Sequence, residues 1–171
     1  MMMLKLREYN VFDAEIITKW IENEYIFRQW SADRYEKYPI TASDINDYYN
    51  KEKNNYQMYI MTAYDKSDII GHFTLRFVGY DTKTVRLGFV IIDHKKRKKG
   101  YGKQMVDLAV KYAFDNIGVN KISLGVFENN SNAIKCYKSC GFQEIKTDVI
   151  ESYECMGEIW NCIEMENKKG V

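Results

Sequence analysis

The sequence predicts a mixed α/β domain, a central sheet of about seven strands with about four helices on its faces. Three observations carry this. Residues 57–92 hold three strand patterns in succession, the last nearly all apolar after Arg86, as a strand buried on both faces should be. The loop Arg97-Lys98-Lys99-Gly100-Tyr101-Gly102 separates that strand from a helical repeat. A further strand follows the helix, so residues 84–127 form a strand–loop–helix–strand unit, which joins parallel strands by a right-handed crossover.

Residues 4–9 alternate and predict a short first strand. Asp13 is placed to cap the helix that follows, on which Ile16, Ile17, Trp20, Ile21 and Tyr25 fall at helical spacing. Residues 26–42 read as irregular and aromatic, with Phe27, Trp30, Tyr35 and Tyr38. Ser43 or Asp44 caps a second short helix reaching about Lys53. Residues 57–64 and 69–78 alternate as strands, and Tyr80-Asp81-Thr82-Lys83 is a hairpin connection into residues 84–92. Met105, Leu108, Ala109, Tyr112 and Ala113 make the next helix amphipathic, and Gly118 is placed to stop it. Residues 121–127 form a strand, residues 131–139 a short helix ending near Gly141, and residues 143–150 and 158–166 a closing pair of strands.

The chain has 171 residues, of which 46% are apolar and 29% charged, and its net charge is +1. These values fit one globular domain over residues 1–171, with no overall field for nucleic acid or an anionic membrane. No stretch approaches the ~20 apolar residues of a membrane span, and residues 1–7 lack a signal-peptide core. A cytoplasmic address is expected. His72 and His94 show no metal-ligand spacing, and Cys136, Cys140, Cys155 and Cys162 read as free thiols.

The glycine loop is the chemically informative segment. Glycines let a chain turn sharply and bring its N–H groups against phosphate oxygens. The helix behind adds unpaired amides and the positive end of its dipole. Arg97 and the neighbouring Lys95, Lys96, Lys98, Lys99 and Lys103 suit a ligand with several phosphates. A dinucleotide fold is disfavoured because Met105 stands at the third glycine position, and a Walker loop because no Gly-Lys-Ser/Thr occurs. A solvated basic face, or a nucleic-acid site at residues 94–99, is the alternative reading of the same charges.

A second cluster lies about thirty residues on, running from Asn130 to Phe142. Together the two clusters resemble the Gcn5-related N-acetyltransferase (GNAT) superfamily. Its phosphate loop is matched by Arg97, Gly100 and Gly102, and its later motif by Asn130, Ala133, Tyr137, Gly141 and Phe142. The runs Gly88-Phe89-Val90-Ile91 and Lys99-Gly100-Tyr101-Gly102 look most like the branch that includes ribosomal-protein N-terminal acetyltransferases.

The resemblance implies a GNAT-like acyl-CoA N-acyltransferase fold and acetyl-CoA as cosubstrate, with no metal. Backbone groups of Val90, Ile91 and Ile92 would bond the pantetheine arm, and one of their N–H groups would steady the oxyanion. Amides of Lys98, Lys99, Gly100, Tyr101, Gly102 and Lys103, beside Arg97, would hold the pyrophosphate, and Asn130 would hold the pantetheine arm. Tyr137 would protonate the leaving thiolate. No general base is evident, since Arg86 and Gly125 stand where relatives place carboxylates. Asp93, Glu128, His72, Glu36 and a water chain are the alternatives. Trp30 and Tyr35 are expected at an acceptor site for a primary amine, of a small molecule or a protein N-terminus, and the enzyme is expected as monomer or homodimer. A non-catalytic CoA-binding module of the same fold is the rival reading.

Overall fold

The computed structural model describes residues 3–170, and its elements alternate much as the hydrophobic pattern does. They run β1 (Lys5–Glu8), α1 (Asp13–Trp20), α2 (Glu24–Ser31), α3 (Ala42–Asn55), β2 (Met58–Asp65), β3 (Asp68–Phe77), β4 (Thr84–Ile92), α4 (Tyr101–Lys111), β5 (Lys121–Phe127), α5 (Ser131–Ser139), β6 (Gln143–Glu144), β7 (Ser152–Cys155) and β8 (Glu158–Lys168). A 3₁₀ turn (His94–Lys96) follows β4, and a π turn (Tyr112–Ile117) extends α4 to Gly118, whose φ of 83° ends it. Eight strands form a mixed sheet in the order β1-β2-β3-β4-β5-β8-β6, with β7 paired to β8. This is the mixed sheet with helices on its faces that the pattern predicted, with eight strands among the described residues where about seven were expected. Among the described residues no helix is long and apolar enough to cross a membrane.

The described residues hold five α-helices where about four were expected. The first part of the aromatic stretch, with Phe27 and Trp30, is α2, capped by Asn23, whose side chain accepts from the Ile26 amide at 2.9 Å, while Tyr35 and Tyr38 stay in irregular chain. Ile21, Glu22 and Asn23 break what reads as one helix, because Ile21 and Asn23 take extended backbone and Asn23 caps a new helix. Asp13 is the first residue of α1, not its cap. Its buried carboxylate takes both guanidinium nitrogens of Arg7 at 2.8 Å, the Thr62 hydroxyl at 2.7 Å and the Asn10 amide at 2.9 Å. These bonds lock β1, α1 and β2 together and hold the Asp13 carboxyl below its ordinary range despite its burial. The cap of α3 is Thr41, in a reciprocal capping box with Asp44, and not Ser43 or Asp44. The expected strand at residues 143–150 is paired over only two residues, and β7 forms a hairpin with β8 instead.

The sheet separates two cores. Phe73, Leu75, Leu87, Met105, Val106, Leu124 and Met165 pack between the sheet and α4 and α5. Ile17, Trp20, Phe27, Ile45, Tyr49 and Ile91 pack between its other face and α1–α3. Burial of each large apolar side chain contributes roughly 2–3 kcal/mol. The contact of α4 with β3 depends on Gly71. A Cβ there would lie 2.5 Å from Met105 Sδ, 2.6 Å from Ile92 Cδ1 and 3.0 Å from the Ile91 carbonyl. Gly71→Val is therefore expected to cost about 2–3 kcal/mol by overpacking. Urea unfolding measures this, and an unchanged midpoint would refute the close approach.

Candidate active site

Two features of β4 open a gap in the middle of the sheet. The first is a bulge. Thr74 of β3 faces Gly88 and His72 faces Ile91, so Phe89 and Val90 together oppose one residue of β3. Phe89 takes a φ of 49°, a costly conformation for an aromatic residue. The extra residue flips the parity of the strand. Val85 and Leu87 face the α4 core, and beyond the bulge Val90 and Ile92 do so. Phe89 turns instead into the aromatic cluster of the other core, 5.1 Å from Trp30 and 5.4 Å from Tyr48 between ring centroids. The second feature is divergence. β4 pairs with β5 only at Thr84–Lys121, Val85–Ile122 and Arg86–Ser123, after which β5 continues beside β8 alone. From Leu87 onward that edge of β4 has no partner strand, and its main-chain groups face the gap.

The gap belongs to a cavity of about 1160 Å³ that reaches both faces of the sheet. At one end stands the glycine loop. Lys98 and Gly100 adopt left-handed backbone, with φ of 60° and 82°, and Gly100 opens α4 without any side-chain cap. The first bond of that helix runs from the Gln104 amide to the Gly100 carbonyl. Among the described residues the amides of residues 98–103 donate no hydrogen bond to the protein, which leaves them free for an anion. Arg97, Lys98, Gly100, Gly102 and Lys103 line the cavity. Lys99 is exposed outside it. The side chain of Tyr101 turns into the core, with its hydroxyl 3.4 Å from Asp65, so this residue offers the cavity only main chain.

Across the gap, Asn130 caps α5 by accepting from the Ala133 amide at 3.4 Å, and it lines the cavity with Ala133 and Tyr137. Tyr137 packs edge-on against Phe142, with ring centroids 5.9 Å apart. The chain can turn into Phe142 because Gly141 has a φ of 94°, and a Cβ there would sit 3.0 Å from Asn167 Nδ2, which donates to the Cys140 carbonyl. Burial pushes the Tyr137 hydroxyl well up, so it carries its proton at neutral pH.

Beyond Gly88 the lining changes character. Arg86 reaches across the gap and pairs with Glu164 of β8 at 2.6 and 3.0 Å. Glu164 sits opposite Gly125 in the register. A Cβ on Gly125 would meet Cys162 Sγ at 2.8 Å and Arg86 Nη2 at 2.9 Å, so the glycine is what lets the guanidinium pass. Arg86 and Gly125, read from sequence as two missing carboxylates, thus belong to one arrangement whose carboxylate comes from a third strand. Sequence reasoning missed Glu164, Glu151 and Tyr153, all on the lining, because only the pairing of β5 with β8 and of β7 with β8 brings them there. The Tyr153 hydroxyl donates to Glu151.

The suggested bases lie elsewhere. His72 is fully buried on β3, with Nε2 2.6 Å from the Tyr49 hydroxyl. Asp93 caps the 3₁₀ turn by accepting from the Lys95 amide, and Glu36 and Glu128 are exposed. None of the four lines the cavity. Trp30 lines it, whereas Tyr35 lies behind, stacked on Trp30 at 5.9 Å. All four cysteines are free, and among the described residues no group of His, Cys, Asp and Glu side chains gathers as a metal site.

Free amides at a helix mouth, a splayed parallel strand pair and a buried tyrosine between them are the parts that an acyl-CoA-dependent N-acyltransferase needs. The chain matches the Acetyltransferase (GNAT) family over residues 20–142 and belongs to it. It is thus an N-acetyltransferase that uses acetyl-CoA. It is 25% identical over 142 residues to the spermidine N(1)-acetyltransferase of Vibrio cholerae, with 82% of this chain and 79% of that protein covered. It is 27% identical over 143 residues to the acetyltransferase PseH of Campylobacter jejuni, with coverages of 82% and 85%. The crystal structure of the Vibrio cholerae spermidine N-acetyltransferase with CoA and spermine has the same fold, with a TM-score of 0.80 at 23% identity over 97% of this chain and 95% of that one.

Proposed function

We propose that this protein, as a single domain over residues 1–171, transfers the acetyl group of acetyl-CoA to the primary amine of a small molecule. The observation that carries this is the continuity of the cavity, from the unpaired amides at residues 98–103 to the lobe beyond Gly88. The diphosphate rests on those amides, with Arg97, Lys98 and Lys103 around it. The pantetheine arm runs along Val90, Ile91 and Ile92, opposite Asn130. Its thioester then lies where β4 and β5 part, beside Tyr137. The neutral amine attacks the carbonyl carbon, a backbone N–H of the bulge steadies the oxyanion, and Tyr137 passes its proton to the departing thiolate. The amine loses its proton to water.

Trp30 walls the acceptor lobe, and Tyr35 supports it from behind. A lobe closed by α2 and the β7–β8 hairpin suits a small amine better than an extended peptide, and relatives named for spermidine support the same preference over the ribosomal-protein branch. The test is mass-spectrometric detection of acetylated product from a panel of polyamines, amino acids, aminoglycosides and peptides. Acetylated small amines are expected. Turnover of peptide N-termini alone would overturn the small-molecule reading, and calorimetry without CoA uptake would overturn the cofactor site.

A further inference from the structure

The acceptor lobe has an unbalanced charge. Arg76 of β3 stands directly opposite Arg86 of β4, and both line the cavity. Like charges facing each other across a sheet repel, so such a pair is kept only where something offsets it. Arg86 is offset by Glu164. Arg76 has no carboxylate and no hydrogen-bond acceptor among the described residues, although it is half-buried, and its guanidinium lies over the Tyr56 ring at 5.1 Å from the centroid. Arg34, which also lines the lobe, adds positive charge near it and has only its neighbour Asp33, at 3.4 Å. The carboxylates of the lobe are engaged elsewhere, Glu164 by Arg86, Glu151 by the Tyr153 hydroxyl and Asp81 by the Lys83 amide at 2.7 Å. A planar fork of donors without an acceptor, turned into a ligand cavity, is matched to a carboxylate or phosphate.

We propose that the acceptor amine carries an anionic group, a carboxylate or phosphate monoester, which docks on Arg76 beside Arg34 while the amine points to Gly88. This rests on the acetyltransferase reading above and narrows its substrate class. Thr74 and Gly88 form the next same-face pair toward the bulge, two residues from Arg76 and Arg86. The backbones of the two pairs are on the order of 7 Å apart, which sets the length scale for the amines to be tested. A polyamine of that length brings a second cation to Arg76 and is disfavoured.

The test compares four amines of similar length: δ-aminovalerate, the phosphate monoester of aminobutanol, uncharged-tailed pentylamine and dicationic cadaverine. With acetyl-CoA saturating, δ-aminovalerate or the phosphate ester is expected to exceed cadaverine in kcat/KM by at least about tenfold. The better of the two identifies the anion. Arg76→Gln is expected to raise KM for that amine roughly tenfold with kcat little changed, and to leave pentylamine and acetyl-CoA unaffected. Arg76→Lys recovers part of the loss. Arg76→Met keeps the stem packed on Tyr56 and controls for folding, together with the melting temperature and CoA affinity of each variant. Preference for cadaverine, or an equal effect of Arg76→Gln on all four amines, overturns the proposal and leaves the acetyltransferase standing. If none of the four is acetylated, calorimetry of the anionic amines against the CoA-loaded protein decides. Binding lost in Arg76→Gln supports the anion site, and no binding overturns it.

Discussion

Replacing Tyr137 by phenylalanine is expected to lower kcat for acetyl transfer by roughly a hundredfold while leaving the KM for acetyl-CoA nearly unchanged. The substitution keeps the ring that packs on Phe142 and removes only the hydroxyl, which has no hydrogen-bond partner among the described residues. That hydroxyl holds its proton because burial raises it above an ordinary phenol. The same burial disfavours a thiolate forming beside it, so the hydroxyl donates a hydrogen bond to the sulfur as negative charge develops there and the proton follows the departing group. Without the hydroxyl, the thiolate must leave charged into a half-closed cavity. The measurement is initial rate against acetyl-CoA concentration, with the melting temperature as a control. An unchanged kcat would remove Tyr137 from the chemistry and leave water as the proton donor.

A loss of stability of about 2.5 kcal/mol between pH 7 and pH 4.5 is the second large expectation, and it originates at His72. Burial lowers His72 to about 3, with Asp13 opposing the shift weakly. The unfolded chain takes up a proton near pH 6.5 that the folded protein refuses until about 3. Stability from this group is therefore complete above pH 6.5 and falls steadily as pH drops toward 3. Asp13 adds a further loss below about pH 4, where its depressed carboxyl is protonated in the unfolded chain first. Urea unfolding across this range measures the slope, and His72→Gln, which cannot titrate, should flatten it between pH 6.5 and 4.5. An equally steep slope in that variant would assign the acid sensitivity to other groups.

The parts of the site that rest on local geometry were legible in the chain. The glycine loop, the amphipathic α4 and its stop at Gly118 depend on residues close in sequence, and so does the Asn130 to Phe142 segment. Backbone conformation, capping and helical spacing are short-range properties, so residue identity alone decides them. Sequence reasoning missed the break before α2 although its signal is local: Asn23 caps the new helix through the Ile26 amide, but the apolar residues on both sides keep a helical spacing that masks it. The bulge at Phe89 lies inside a run of apolar residues, where alternation carries no mark of a parity change.

By itself the sequence determined that a strand would deliver its chain to a glycine loop at a helix mouth, and that a capped helix carrying Tyr137 would follow the next strand. Only the tertiary structure decided what those parts face. Strand register set Glu164 opposite Gly125 and within reach of Arg86, left Arg76 without a counter-ion, and buried His72 rather than presenting it to the cavity. The physical reason is that helix and turn preferences act over a few residues, while a sheet pairs residues far apart in the chain, so the charges of a site built across strands are read only once the strands are aligned.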